Sequence, residues 1–252
     1  MENVTKVKKS RYALLDTIRG MVLVSMMIYH ATWNLVYLYG RDWSWYRSRG
    51  ACLWQQSICW TFILLSGFCF SLARKPMKNA ILVLGSGAAV TMTTLLVMPE
   101  NRVIFGVLTC IGSCLFLTSF GERYLKKVPS VMAAGVNFFL FLITKNINSG
   151  VLGLGECRFA QLPESWYENY VTAYLGFPFK KFYSTDYFSL FPWLFLFLTG
   201  FYLYEIFYKN GWLEIPFLKK KIGVFSFLGR HSLIIYLLHQ PMIYGIQKLL
   251  LG

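Results

Sequence analysis

The sequence predicts an all-α fold: a polytopic transmembrane bundle of about seven helices with a cytoplasmic N-terminus. Three observations support this. Of the 252 residues, 56% are hydrophobic and only 14% charged, whereas a soluble domain carries about a quarter charged residues. Mean hydropathy is +0.48. The apolar residues also fall in runs of about 20, the length that crosses a hydrocarbon core, with charged punctuation between them. An 18% share of aromatic residues suits interfacial Trp and Tyr anchors.

The first run, 13–38, follows the basic stretch KVKKSR. It is long and lacks a small-residue cleavage site, so it reads as a retained first helix rather than a signal peptide. RDWSWYRSRG separates it from a second span at 51–73, and RKPMK leads into a third at 79–98. PENR introduces a fourth at 102–121, and ERYLKKVP a fifth at 128–147. A sixth runs over 186–208, and KNGWLEIPFLKKK precedes the seventh at 231–250.

Segment 148–185 is too polar and too broken by Gly and Pro to span, yet rich in aromatics. It is expected to be an ordered cap on the outer face, since long ordered loops are commonly functional. With the N-terminus inside, sixteen of the 25 Lys and Arg fall on the cytoplasmic side, Lys6, Lys8, Lys9 and Arg11 among them. That bias follows the positive-inside rule. No repeat or second domain is visible, so residues 1–252 read as one domain.

The formal charge of +14 does not point to nucleic acid, because the basic residues sit in short clusters between apolar runs and no DNA- or RNA-reading motif accompanies them. Five of the six cysteines lie in spans, Cys157 stands in the loop, and no Cys-x-x-Cys pair occurs. Neither a metal site nor a disulfide framework is expected.

Costly ionisable groups mark the first span. Each helical residue advances about 100°, so Arg19 and His30, eleven apart, lie roughly 20° from eclipsed and about 16 Å apart along the axis. Asp16 and Asn34 fall within about 60° of the same line. This column must face protein or a water-filled cavity rather than lipid. Arg19 snorkelling to the interface with Asp16 as its i,i+3 partner, and His30 as a packing residue, are the structural alternatives. In the seventh span His239 lies nine residues beyond Arg230, about 13 Å along the axis, and shares a polar seam with Ser232 and Tyr236. Pro241 lacks a backbone donor and is expected to open that helix, leaving either a kinked structural His–Gln pair or a functional histidine. His231 reads as interfacial.

LLDTIRG (14–20) followed by His30 resembles the opening of the prokaryotic relatives of heparan-α-glucosaminide N-acetyltransferase. The arginine, ten residues and histidine from Arg19 to His30 are similar to the first-helix motif of acyltransferase family 3. FGVLTCIG (105–112), YLGFPFKKFYSTDYFSLFPWLFLFLTG (174–200) and FLGRHSLIIYLLHQP (227–241) resemble the same family in order. Many relatives have a histidine where this chain has Thr109.

The resemblance implies a bacterial cytoplasmic-membrane enzyme that moves an acetyl group from cytoplasmic acetyl-CoA, without metal, to a hydroxyl or amine of a glycan, amino sugar or small amine on the far side. A homodimer in membrane lipid fits the family. In that reading Arg19, Arg74, Lys75 and Arg230 face the CoA phosphates, which Arg and Lys suit chemically, and the column Asp16–Arg19 holds the cofactor end in place. His30 acts as base or nucleophile, oriented by Asn34, with His239 assisting. Trp33, Asp186, Tyr187, Trp193 and Gln240 bind acceptor. The competing expectation is a small transporter or channel using the same polar column, although the paired broken helices of such proteins are not visible.

Overall fold

A computed structural model describes residues 12–155 and 157–251. The stretch KVKKSR, with Lys6, Lys8, Lys9 and Arg11, lies outside the described residues. Among those residues the long helices are α1 (Ala13–Tyr37), α2 (Arg49–Phe70), α3 (Pro76–Val97), α4 (Val107–Leu125) and α5 (Ser130–Thr144). A hairpin of β1 (Val151–Leu154) and β2 (Cys157–Gln161) follows, then the short α6 (Tyr170–Leu175). The chain ends with α7 (Leu190–Lys209), α8 (Gly223–Arg230) and α9 (Ser232–Leu251).

Every predicted span therefore contains a helix. Five are long and apolar enough to cross a membrane: α1, α2, α3, the segment Ser130–Ser149 that begins with α5, and α7. The other two are diluted by polar residues, Glu122 and Arg123 at the end of α4 and His239, Gln240, Gln247 and Lys248 in α9.

The described residues pack as two units, those of Met1–Ile58 with Gly211–Gly252, and those of Cys59–Asn210. In the first unit α1 and α8 touch through backbone. A Cβ on Gly20 would sit 1.9 Å from the Phe225 carbonyl oxygen, and one on Gly229 would sit 1.8 Å from that of Asp16. Only glycine permits such an approach, as in close helix crossings within membranes. The Ile222 N–H donates to Thr17 Oγ1 at 3.3 Å and ties the start of α8 to α1. α8 runs antiparallel to α1, Phe225 against Gly20 and Gly229 against Asp16, and from Gly229 to Gln247 the contacts then climb α1 from Asp16 to Asn34, so α9 ascends beside α1 in the same direction. α9 is continuous through Pro241. The missing N–H removes one rung, yet the helix is not opened.

In the second unit α7 and α2 are in reciprocal backbone contact at Gly67 against Phe197 and Gly200 against Leu64. Around them Ile63, Phe70, Phe141, Trp193, Leu196 and Phe201 form a buried apolar core. Segment 148–185 is folded, as expected. Its hairpin pairs antiparallel with a register shift between Leu152 and Gly153, and Asn169 and Thr172 make a capping box at α6. Nearby residues, including Asn148, Gln161, Tyr167, Lys180 and Lys181, frame a cavity of about 540 Å³.

Candidate active site

The predicted column exists, and the first unit supplies its partners. At the start of α1, Asp16 is buried. Its two oxygens meet two guanidiniums, Arg19 Nη1 at 3.5 Å and Arg230 Nε at 3.7 Å. Arg230 reaches Asp16 because Gly229 lets the end of α8 lie directly on α1.

Eleven residues further along α1, about 16 Å at helical rise, the imidazoles of His30 and His239 lie side by side with centroids 5.0 Å apart and planes tilted by 57°. Nδ1 of His239 bonds the carbonyl oxygen of Tyr236. A carbonyl only accepts, so Nδ1 carries the proton, and a neutral His239 has its lone pair at Nε2. Beside the histidines, fully buried Asn34 donates from Nδ2 to Gln247 Oε1 at 2.9 Å. Asn34 Oδ1 accepts from Gln240 Nε2 at 3.3 Å. Gln247 Nε2 donates in turn to the Ala31 carbonyl at 2.9 Å. The flank is aromatic: Tyr29 contacts His30 at 6.1 Å and Trp54 at 5.2 Å, and the Trp54 N–H donates to Ser25 Oγ at 2.8 Å.

The predicted residues thus divide. His30, Asn34, His239 and Gln240 come together, as do Asp16, Arg19 and Arg230, all in the first unit. Trp33 belongs to that unit but packs on Tyr37 and on the cluster of Val36, Tyr46 and Ala51. Tyr46, between α1 and α2, directs its hydroxyl to the Tyr29 carbonyl at 3.4 Å, and burial pushes its pKa well above the usual tyrosine value. His231 is exposed and contacts the Phe227 carbonyl and ring.

Arg74, Lys75, Asp186, Tyr187 and Trp193 belong to the second unit. Arg74 and Lys75 are exposed in the turn before α3. Asp186 Oδ2 accepts from the Val107 N–H at 3.3 Å, at the start of α4, where a carboxylate complements the helix dipole. The Tyr187 hydroxyl donates to the Ala173 carbonyl. Trp193 is buried between Phe141 and Phe188, with ring centroids 5.6 and 5.1 Å away. Thr109 packs against Gly87 of α3, where a Cβ would meet its Oγ1 at 2.7 Å.

Gln247 and Glu205 are among the buried polar residues that the sequence does not single out. Gln247 lies seven residues beyond Gln240 and hence within about 20° of it on α9, a spacing that signals a shared face. Glu205 is buried in α7, with Ser71 donating to it at 3.5 Å; its signal was a lone acid in an apolar run. Among the described residues no group of three or more His, Cys, Asp or Glu could hold a metal ion.

No curated protein and no solved structure matches this chain. The family model described as heparan-alpha-glucosaminide N-acetyltransferase, catalytic, matches residues 11–241, which include both polar clusters apart from Gln247. The chain therefore belongs to the heparan-alpha-glucosaminide N-acetyltransferase catalytic family, and so to the membrane acetyltransferases.

Proposed function

We propose that this protein, as one domain of seven spans with its N-terminus in the cytoplasm, transfers acetyl from cytoplasmic acetyl-CoA to a hydroxyl or amine of a glycan or amino sugar on the opposite side of a bacterial cytoplasmic membrane. The observation that supports this best is the first-unit column: two arginines on one buried carboxylate at one end, and paired imidazoles about 16 Å along the same helix. Arg19 and Arg230 suit the phosphates of CoA. The spacing matches an extended pantetheine arm that brings the thioester to His30.

His30 then acts as general base. It takes the proton from the acceptor as the oxygen or nitrogen attacks the thioester carbon. The carbon–sulfur bond breaks, and CoA leaves as a thiolate that recovers the proton. His239 assists at the thioester, and Asn34 holds the surrounding amides. Positioned proton transfer of this kind contributes about 10²- to 10⁴-fold. The acceptor approaches past Gln240.

The test is transfer of labelled acetyl from acetyl-CoA to glucosamine by the purified protein. His30→Ala is expected to lower transfer by about 10²- to 10⁴-fold while leaving thermal unfolding unchanged; transfer at the wild-type rate would sink the assignment. Label retained on wild-type protein in the absence of acceptor would replace the general-base route by an acetyl-imidazole intermediate.

A further inference from the structure

The amide chain beside the histidines has a direction, and one atom sets it. Terminal amide oxygens and nitrogens are distinguished by their partners, and here the reference is the main-chain carbonyl of Ala31, which can only accept. Gln247 Nε2 must therefore be the group 2.9 Å from it, which turns Gln247 Oε1 toward Asn34. Asn34 must then present Nδ2 to Gln247 and Oδ1 to Gln240. Gln240 must donate from Nε2, which leaves its Oε1 as a buried acceptor with no hydrogen-bond partner among the described residues. Gln240 and Gln247 are two turns apart on α9, about 10 Å along its axis, with the Asn34 side chain bridging them from α1.

A buried carbonyl oxygen without a donor costs free energy comparable to a lost hydrogen bond. Its orientation is nonetheless imposed three residues away, because a flip of the Gln240 amide would set its oxygen against Asn34 Oδ1.

We propose that Gln247 is a positioning residue of the active site, and that through Asn34 it holds Gln240 Oε1 as an acceptor for an N–H or O–H of the substrate. The proposal rests on the acetyl-transfer reading for the identity of that substrate. Two sources offer such a donor: the amide N–H groups of the CoA arm, and the hydroxyl or amine of the sugar. Gln247 touches neither and acts only by fixing the polarity of the chain.

The experiment measures transfer from acetyl-CoA to glucosamine by Gln247→Met, Gln240→Met and the double variant. Loss of one neutral hydrogen bond predicts a KM raised about threefold to tenfold in Gln247→Met, with kcat within about twofold. A rise in the acetyl-CoA KM assigns the contact to the CoA arm, and a rise in the glucosamine KM assigns it to the acceptor. Because Gln247 acts through Gln240, the double variant should be no worse than Gln240→Met. Unchanged KM for both substrates, or additive losses, overturns the proposal and leaves acetyl transfer standing.

If Gln247→Met fails to fold, Gln247→Glu replaces it. Its protonated carboxyl keeps a donor toward Ala31 and an acceptor toward Asn34, so KM should be near wild type at low pH and rise as that carboxyl ionises. Wild type at the same pH corrects for titration of His30, His239 and the neighbouring tyrosines, and a KM ratio flat with pH counts against the proposal. A wild type without turnover would instead overturn the acetyl-transfer reading. The side-chain amide ¹⁵N spectrum then decides the positioning role: displacement of the Gln240 signals in the Gln247 variant supports it, and unmoved signals overturn it.

Discussion

The two packing units bring helices together with different side chains. In the first, α1 meets α8 and α9 through ion pairs, amides and imidazoles: Asp16 with Arg230, Asn34 with Gln247, His30 with His239. In the second, α7 is 61% buried over its most apolar stretch and sits among Phe, Leu and Trp side chains. Both use glycine to bring backbones into contact, so close approach is not what separates them. Apolar packing tells a helix how near to come. Directional groups also fix the orientation of individual atoms, and buried polar groups in a membrane are costly enough to be functional by default. On the proposed reading the chemistry belongs to the first unit and the second supports the fold.

The strongest test sets His30 against Trp193. His30→Ala should lower acetyl transfer by about 10²- to 10⁴-fold with an unchanged melting temperature. Trp193→Ala should do the reverse, destabilising the fold by about 3–5 kcal/mol while the folded fraction retains its turnover. If Trp193→Ala instead raised only the KM for glucosamine, the second unit would hold part of the acceptor site. Next, Gly20→Val and Gly67→Val each drive a side chain into a carbonyl oxygen 1.9 Å from the Cβ position. Each should cost about 3 kcal/mol, seen as a lower midpoint in detergent unfolding, and equal losses would show that both units depend on backbone contact. A smaller effect is expected from Arg230→Gln, about a tenfold rise in the acetyl-CoA KM with kcat retained; a change in kcat alone would move Arg230 out of donor binding.

The smallest concerns Tyr46. Burial raises its folded-state pKa above the unfolded value of about 10. Its contribution to stability is therefore complete below about pH 10 and is lost as pH rises beyond it. Tyr46→Phe should flatten the alkaline decline in melting temperature, and an unchanged decline would show that Tyr46 is not its source.

Much of the site was legible because a helix is periodic. The line through Asp16, Arg19, His30 and Asn34 follows from 100° per residue alone, and the helical rise put His239 about 13 Å beyond Arg230 on the last helix. Asp186 and Trp193 read differently in isolation, as an acid and an indole at the edge of an apolar run. Their tertiary partners, the Val107 N–H and the rings of Phe141 and Phe188, give them structural work. Gln247 was missed for the converse reason: a polar residue near the end of the chain means little until Asn34, 213 residues earlier, is seen to bond it.

The sequence by itself determined an α-helical membrane protein, the positions of its helices, and the stripe on α1, because hydropathy and helical period are local properties. The tertiary structure alone decided which residues face that stripe. Glycines at 20 and 229 set how closely α8 approaches, and that approach puts Arg230 on Asp16. The register of α9 against α1 pairs the two histidines and orders the amides, and a register between helices some 200 residues apart is fixed by packing that no local pattern encodes.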